Sequence, residues 1–386
     1  MMSVWSSLVG QEAAVAKLSE AAASARAIVA SRGGAHASDD ARSMSHAWLI
    51  TGPPGSGRSV AARAFAAALQ CTGETVGCGH CAGCRTTMGR TNADVVFAAT
   101  ETSIINVETA RSLVLQAQSS PSQGLWRVIV VEDADRLGES GANALLKAIE
   151  EPPEHTVWLL CAPSPEDMIA TIRSRCRHLG LRIPTAAAVA DLLVREGVAT
   201  PEVALEAARA AQSHIGLARA LARDPQMRER RRAIITAPAS VRSVGEAVMA
   251  ADRLLETAKA QADAQVSERN AREKAELMRQ LGMDEGESAT KASRTMIRQL
   301  EEDQKRRSKR ALTDAIDRAL IDLLAIYRDV LMVQVGGDGE LINTDLADLV
   351  GQIARDSTPR QTLARVDHIE TARKRLVSNG NPLLVL

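Results

Sequence analysis

The stretch Gly52-Pro53-Pro54-Gly55-Ser56-Gly57-Arg58-Ser59, GPPGSGRS, follows the apolar run HAWLIT (46–51) and opens the alanine-rich run RSVAARAFAAALQ (58–70). A glycine-rich loop between a strand and a helix is a phosphate cradle. Its glycines let backbone amides turn inward, and the helix N-terminus adds positive potential. Ser59 stands where a hydroxyl reaches Mg²⁺. Arg58 stands where such loops carry lysine, and a planar guanidinium does not replace a compact ammonium between two phosphates. ATP and Mg²⁺ binding is therefore an open expectation, and efficient hydrolysis is not expected.

The flanking sequence extends this unit. DVVFAA (94–99), RVIVV (127–131) and VWLLCA (157–162) are apolar runs of strand length. Between the last two, Ala142, Leu145, Leu146 and Ile149 recur on one helical face, and Pro152 and Pro153 end that helix. Buried strands alternating with amphipathic helices imply an α/β fold with a parallel sheet covered on both faces. After Pro184 the pattern turns helical, with helices expected over 185–197 and 201–214 and an all-helical chain from about 240. A loop rich in small and polar residues falls within 23–43. Residues 257–310 carry mixed charge interrupted by DEGES (284–288), which reads as solvated helices joined by a loop; the basic run KRRSKR (305–310) reads the same way before a nucleic-acid contact.

A Mg²⁺-positioning acid belongs at the end of a later strand. Glu132 and Asp133 stand there in the order Glu-Asp, where Asp-Glu is usual. Misplacement by about 1 Å costs on the order of 100-fold in rate.

Four of the six cysteines crowd together as Cys71-x6-Cys78-x2-Cys81-x2-Cys84. Four thiolates complete a tetrahedron around Zn²⁺ and leave no open position, so the expected site is a structural zinc module over 71–84. Unligated thiols or two disulfides are the alternatives. His80 is surplus to a full ligand set, and Cys161 reads as core filling. In ATIRSRCRH (170–178), Arg175 reads by spacing alone as a surface arginine.

Over 386 residues the formal charge is zero, hydrophobic residues make up 45% and aromatics 2%. That balance argues against a zinc-stabilised DNA-binding module, which needs a basic face. No secretion signal opens the chain and no run approaches a membrane span, so a cytoplasmic chain with no membrane partner is expected.

VWSSLVGQ (4–11), GPPGSGRS, the four cysteines, NALLKAIEEPPEHT (143–156) and TIRSRC (171–176) together resemble the bacterial DNA polymerase III clamp-loader family of AAA+ proteins. The resemblance is strong over about 4–182. It implies an AAA+ core domain (1–182) with an inserted zinc module, a helical lid domain (183–238) and an all-α C-terminal collar domain (239–386), with 257–310 as a charged insertion. It further implies gamma/tau and delta subunits, the sliding clamp and primed DNA as partners. The family's gamma/tau motor keeps the loop lysine, an Asp-Glu pair and threonines after its sensor strand. Here those places hold Arg58, Glu132–Asp133 and Ala162–Pro163. Gly216 and Leu217 fall where a lid-domain arginine is sought, with Arg219 nearby. Such departures resemble the delta-prime branch, a stator with weak or no ATPase whose SRC arginine, here Arg175, serves a neighbouring gamma site in trans. An active gamma/tau-like ATPase is the alternative.

Overall fold

The computed structural model describes residues 3–31, 43–98, 104–241, 243–281, 291–377 and 381–385. Two compact units divide the chain, Met1–Ala222 and Arg223–Leu386.

In the first unit, helix α1 (Glu12–Ala30) precedes strand β1 (Ala47–Thr51), and α2 (Arg58–Leu69) and α3 (Ala82–Met88) follow. Then come β2 (Val95–Ala98), α4 (Val107–Ala117), β3 (Arg127–Val131), α5 (Glu139–Glu150), β4 (Thr156–Ala162), α6 (Ala170–Arg173) and β5 (Arg177–Gly180). Helices α7 (Ala186–Arg195), α8 (Pro201–Ala210) and α9 (Ile215–Arg223) end this part. The five strands form one parallel sheet in the order β2-β3-β4-β1-β5.

Every residue of β1 and β4 is buried. Alternation sends their side chains to opposite faces. Trp48, Ile50, Leu159 and Cys161 join α1 and α2 in one core; Leu49, Trp158, Leu160 and Ile129 join α4, α5 and α6 in the other. The helices after β1 and β3 thus cover opposite faces, and the crevice at their carboxyl ends is where open α/β sheets bind ligands. GPPGSGRS and Glu132–Asp133 lie at those ends.

Three features differ from sequence expectation. Helix α1 runs on to Ala30, so the small-residue segment begins as helix, and 32–42 lies outside the described residues. The helix from Pro201 stops at Ala210, before residues of positive φ at Gln212 and Ser213. The basic run after Arg175 continues into β5: Arg177 and His178 are exposed and only Leu179 is buried, so no apolar run announces this edge strand.

A buried carboxylate holds the entry to β2. Asp94 accepts from the backbone amides of Ser122 (2.6 Å), Gln123 (2.7 Å) and Gly124 (2.6 Å) and from the Ser122 hydroxyl (2.9 Å). Against burial, these amides hold its carboxyl below the ordinary carboxylate range. A group with a depressed folded pKa stabilises above its unfolded pKa, about 4, and that contribution is lost as pH falls through the folded value. Asp94→Ala orphans three amides and should cost about 3 kcal/mol at pH 7. Urea unfolding at pH 7 and pH 3 checks this: the gap between wild type and variant should narrow in acid.

The second unit is helical among its described residues: α10 (Pro225–Ser240), α11 (Val244–Gln280), α12 (Lys291–Gln334), α13 (Ala347–Asp356), α14 (Pro359–Val377) and α15 (Pro382–Val385). Near its base, Leu255 and Ala258 pack with Ile316 and Leu320. Further out, Ala262 and Val266 meet Ala311. Beyond that, Arg307 reaches Glu273 (2.8 Å) and Lys274 reaches Glu301 (3.1 Å). These pairings run α11 and α12 antiparallel, so the charged segment is a helical pair whose ions answer one another. Arg307 of KRRSKR is taken up this way, while DEGES lies outside the described residues. No helix among the described residues is long and apolar enough to cross a membrane.

Candidate functional site

The loop over residues 52–59 takes backbone turns that its glycines permit. Gly55 and Gly57 take φ of +90°, a region that favours glycine. A Cβ on Gly52 would meet the Ser56 hydroxyl at 2.5 Å, and one on Gly55 would meet His214 Cα at 2.8 Å. The second contact shows that the turn between α8 and α9 sits on the loop. From the other side Gln11, which is buried, donates to the carbonyls of Ser56 (3.3 Å) and Arg182 (2.5 Å).

The interior of the cradle is internally bonded. Arg58 donates from Nη1 to the Gly52 carbonyl at 2.6 Å. The Ser56 amide donates to the Pro53 carbonyl at 3.0 Å, and the Gly52 amide donates to the Pro163 carbonyl at 3.2 Å. The guanidinium is thus turned onto the loop's own backbone. Pro53 and Pro54 are exposed, and Ser59 is half-buried at the start of α2. Ser56 is buried, and its hydroxyl has no hydrogen-bond partner among the described residues.

Glu132 directly follows β3, and Arg90 donates to it at 2.5 Å. Burial raises its carboxyl above the ordinary value, the Arg90 charge opposes this, and neighbouring Asp133 adds to it. Asp133 is half-buried. Arg90 also lies over the Phe97 ring at 5.0 Å. A carboxylate already paired with an arginine is a poor Mg²⁺ ligand. In α9, Arg219 makes a two-pronged pair with Glu196 at 2.8 and 2.9 Å.

The four cysteines converge. The sulfurs of Cys71, Cys78, Cys81 and Cys84 all lie within 4.8 Å of one another. Cys71 and Cys81 are 3.9 Å apart, near the about 3.8 Å edge of a tetrahedron with 2.3 Å Zn–S bonds. Amides of Cys81 and Cys84 donate to the sulfurs of Cys78 and Cys81, each at 3.4 Å. Against burial, backbone amides of Cys84 and Thr72 bring the Cys81 thiol down to about 5. Cys71 is likewise held down, by amides of Cys78 and Gly73 acting against burial. Cys84 is pushed up by burial, by its bond with Cys81 and by the Cys71 charge. Crowded sulfurs that cannot all ionise together are the donor set a divalent cation resolves, and Zn²⁺ fits it. His80 Nδ1 bonds the Cys78 carbonyl at 3.0 Å instead of joining the cluster.

The module is locked into the core. The Val4 amide donates to the Gly77 carbonyl at 3.0 Å, and a Cβ on Gly77 would meet Trp5 Nε1 at 2.9 Å. Gln70 Oε1 accepts from the Leu125 amide at 2.9 Å, and its Nε2 donates to the Trp126 carbonyl at 2.5 Å. The roles of Gln11, Gln70, Arg90 and His214 escape sequence reasoning: Gln11 closes VWSSLVGQ, but its partner Arg182 is 171 residues away, and the other three stand in none of the quoted motifs.

Arg175 is exposed just past α6, remote in sequence from the loop and paired with Glu150 at the end of α5. Cys176 is half-buried, its thiol pushed up to about 12 by burial. Cys161 is buried in β4, also pushed up to about 12 by burial and with no bridge to another cysteine.

Comparison with known proteins gives these features a context. Residues 36–185 match the family described as "DNA polymerase III, delta subunit". A gamma/tau subunit of Mycobacterium tuberculosis is 35% identical over 159 residues, which is 40% of this chain and 28% of that protein. Delta-prime subunits are similar too. That of Pseudomonas aeruginosa is 34% identical over 42% of this chain and 50% of its own length. That of Escherichia coli is 34% identical over 46% of this chain and 54% of its own length. The matched segments thus span about half, or less, of these relatives. Over residues 36–185, which take in most of its α/β module, this chain is similar to the delta, delta-prime and gamma/tau subunits of DNA polymerase III.

Proposed function

We propose that this chain is a delta-prime-type subunit of the DNA polymerase III clamp loader, a stator that holds no productive nucleotide of its own. One observation carries the reading: Arg58, at the position of the catalytic lysine, is bonded to the Gly52 carbonyl within the loop. The pairing of Glu132 with Arg90 points the same way, because it removes the acid that would position Mg²⁺. Residues 183–238 act as the lid, and 239–386 form the collar that meets gamma/tau and delta subunits. Arg175 completes a neighbouring subunit's ATP site during loading of the sliding clamp on primed DNA in the cytoplasm. The cysteine cluster holds a structural Zn²⁺.

Calorimetric titration of Mg-ATP into the full chain tests the loop. No saturable binding below millimolar nucleotide and no turnover are expected. Turnover by the isolated chain, sensitive to changes at Arg58 or Glu132, would instead indicate a gamma/tau-like motor.

A further inference from the structure

Arg175 is not a loose surface side chain. Its Nε donates to a carboxylate oxygen of Glu150, and its Nη1 donates to the Thr171 carbonyl at 2.8 Å and the Ser174 hydroxyl at 3.2 Å. Nη2 has no intramolecular partner among the described residues. One edge of the planar fork is therefore held by the protein, and the opposite corner is left for something outside it.

The location of Glu150 calls for explanation. It is the last residue of α5, where the helix carbonyls carry partial negative charge and an acid is disfavoured. Local helix stability gives no reason for a carboxylate there. The pair is also exposed, with 38% of the arginine and 40% of the glutamate side chain accessible, so solvent screens it and it adds little to folding. What it does is limit the orientations of a side chain that otherwise samples many rotamers.

We propose that Glu150 is the positioning residue for Arg175, fixing the guanidinium so that Nη2 is presented to the phosphates of a neighbouring subunit. The proposal rests on the reading of Arg175 as an arginine acting in trans. Holding a reacting group in place before its partner arrives removes part of the entropic barrier. Neutral glutamine keeps an oxygen acceptor at the same reach, so it keeps orientation while losing charge. Alanine loses both.

The test is ATP turnover on primed DNA by the loader reassembled with its partner subunits. Glu150→Ala should lower kcat at the affected interface by about three- to tenfold, with KM for ATP unchanged. Glu150→Gln should stay within about twofold of wild type. In an Arg175→Ala background, Glu150→Ala should add no further loss, because its effect passes through the arginine. Three results overturn the proposal while leaving the trans-arginine reading intact: no loss or a gain with Glu150→Ala, equal losses with both Glu150 variants, or an undiminished loss in the double variant. If Arg175→Ala itself changes nothing, the underlying reading fails and this proposal fails with it.

Discussion

Arg175→Ala, in a loader reassembled from all its subunits, should lower DNA-stimulated ATP hydrolysis at one interface by about 10³–10⁵-fold while assembly persists. The size of the effect comes from where the charge acts. A guanidinium offered across a subunit boundary neutralises charge that grows as the terminal phosphoryl transfers, so its loss raises the barrier of the chemical step. Assembly should survive because the side chain is exposed and no core residue depends on it. Arg175→Lys should recover only part of the rate, since a lysine keeps the charge and loses the fork held by Glu150 and Thr171. Single-turnover hydrolysis, with complex formation followed by size-exclusion chromatography, separates the two effects. Unchanged turnover would refute the trans role.

Metal removal should give the largest stability effect. A four-thiolate zinc site contributes on the order of 10–16 kcal/mol of apparent binding free energy near neutral pH. In this protein that energy would organise residues 71–84 and the surface beneath the N-terminal Val4–Ser7 turn, whose Val4 bonds Gly77. Elemental analysis in reducing buffer should find one zinc per chain. Cys84→Ser should abolish it and lower the midpoint of thermal unfolding of the first unit by about 10 °C or more. Metal loss should also follow acidification, because the ligands must be thiolates. Cooperative unfolding at the wild-type temperature in a zinc-free protein would rule out the metal's structural role.

Much of the α/β module was legible from local pattern. The four apolar runs became β1 to β4, and successive side chains of AWLIT and WLLCA fall alternately into the two cores on opposite faces of the sheet. The Ala142-Leu145-Ile149 stripe became the buried face of α5. These succeed because burial against a sheet imposes a fixed period on neighbouring residues. β5 was not legible: an edge strand has one neighbour and needs little apolar surface, so RHLG looks like any basic loop.

Chemical identity lay in the chain order. The four cysteines fall within residues 71–84, and Arg58 and the Glu132–Asp133 order are each read against a short run of neighbouring residues. Folding settled where each charge is spent. Arg58 turns onto Gly52, Arg90 claims Glu132, and Glu150 holds Arg175 across 25 residues. Such pairings depend on which helix ends and loops the sheet brings together, and that distance information is not carried by any local run of residues.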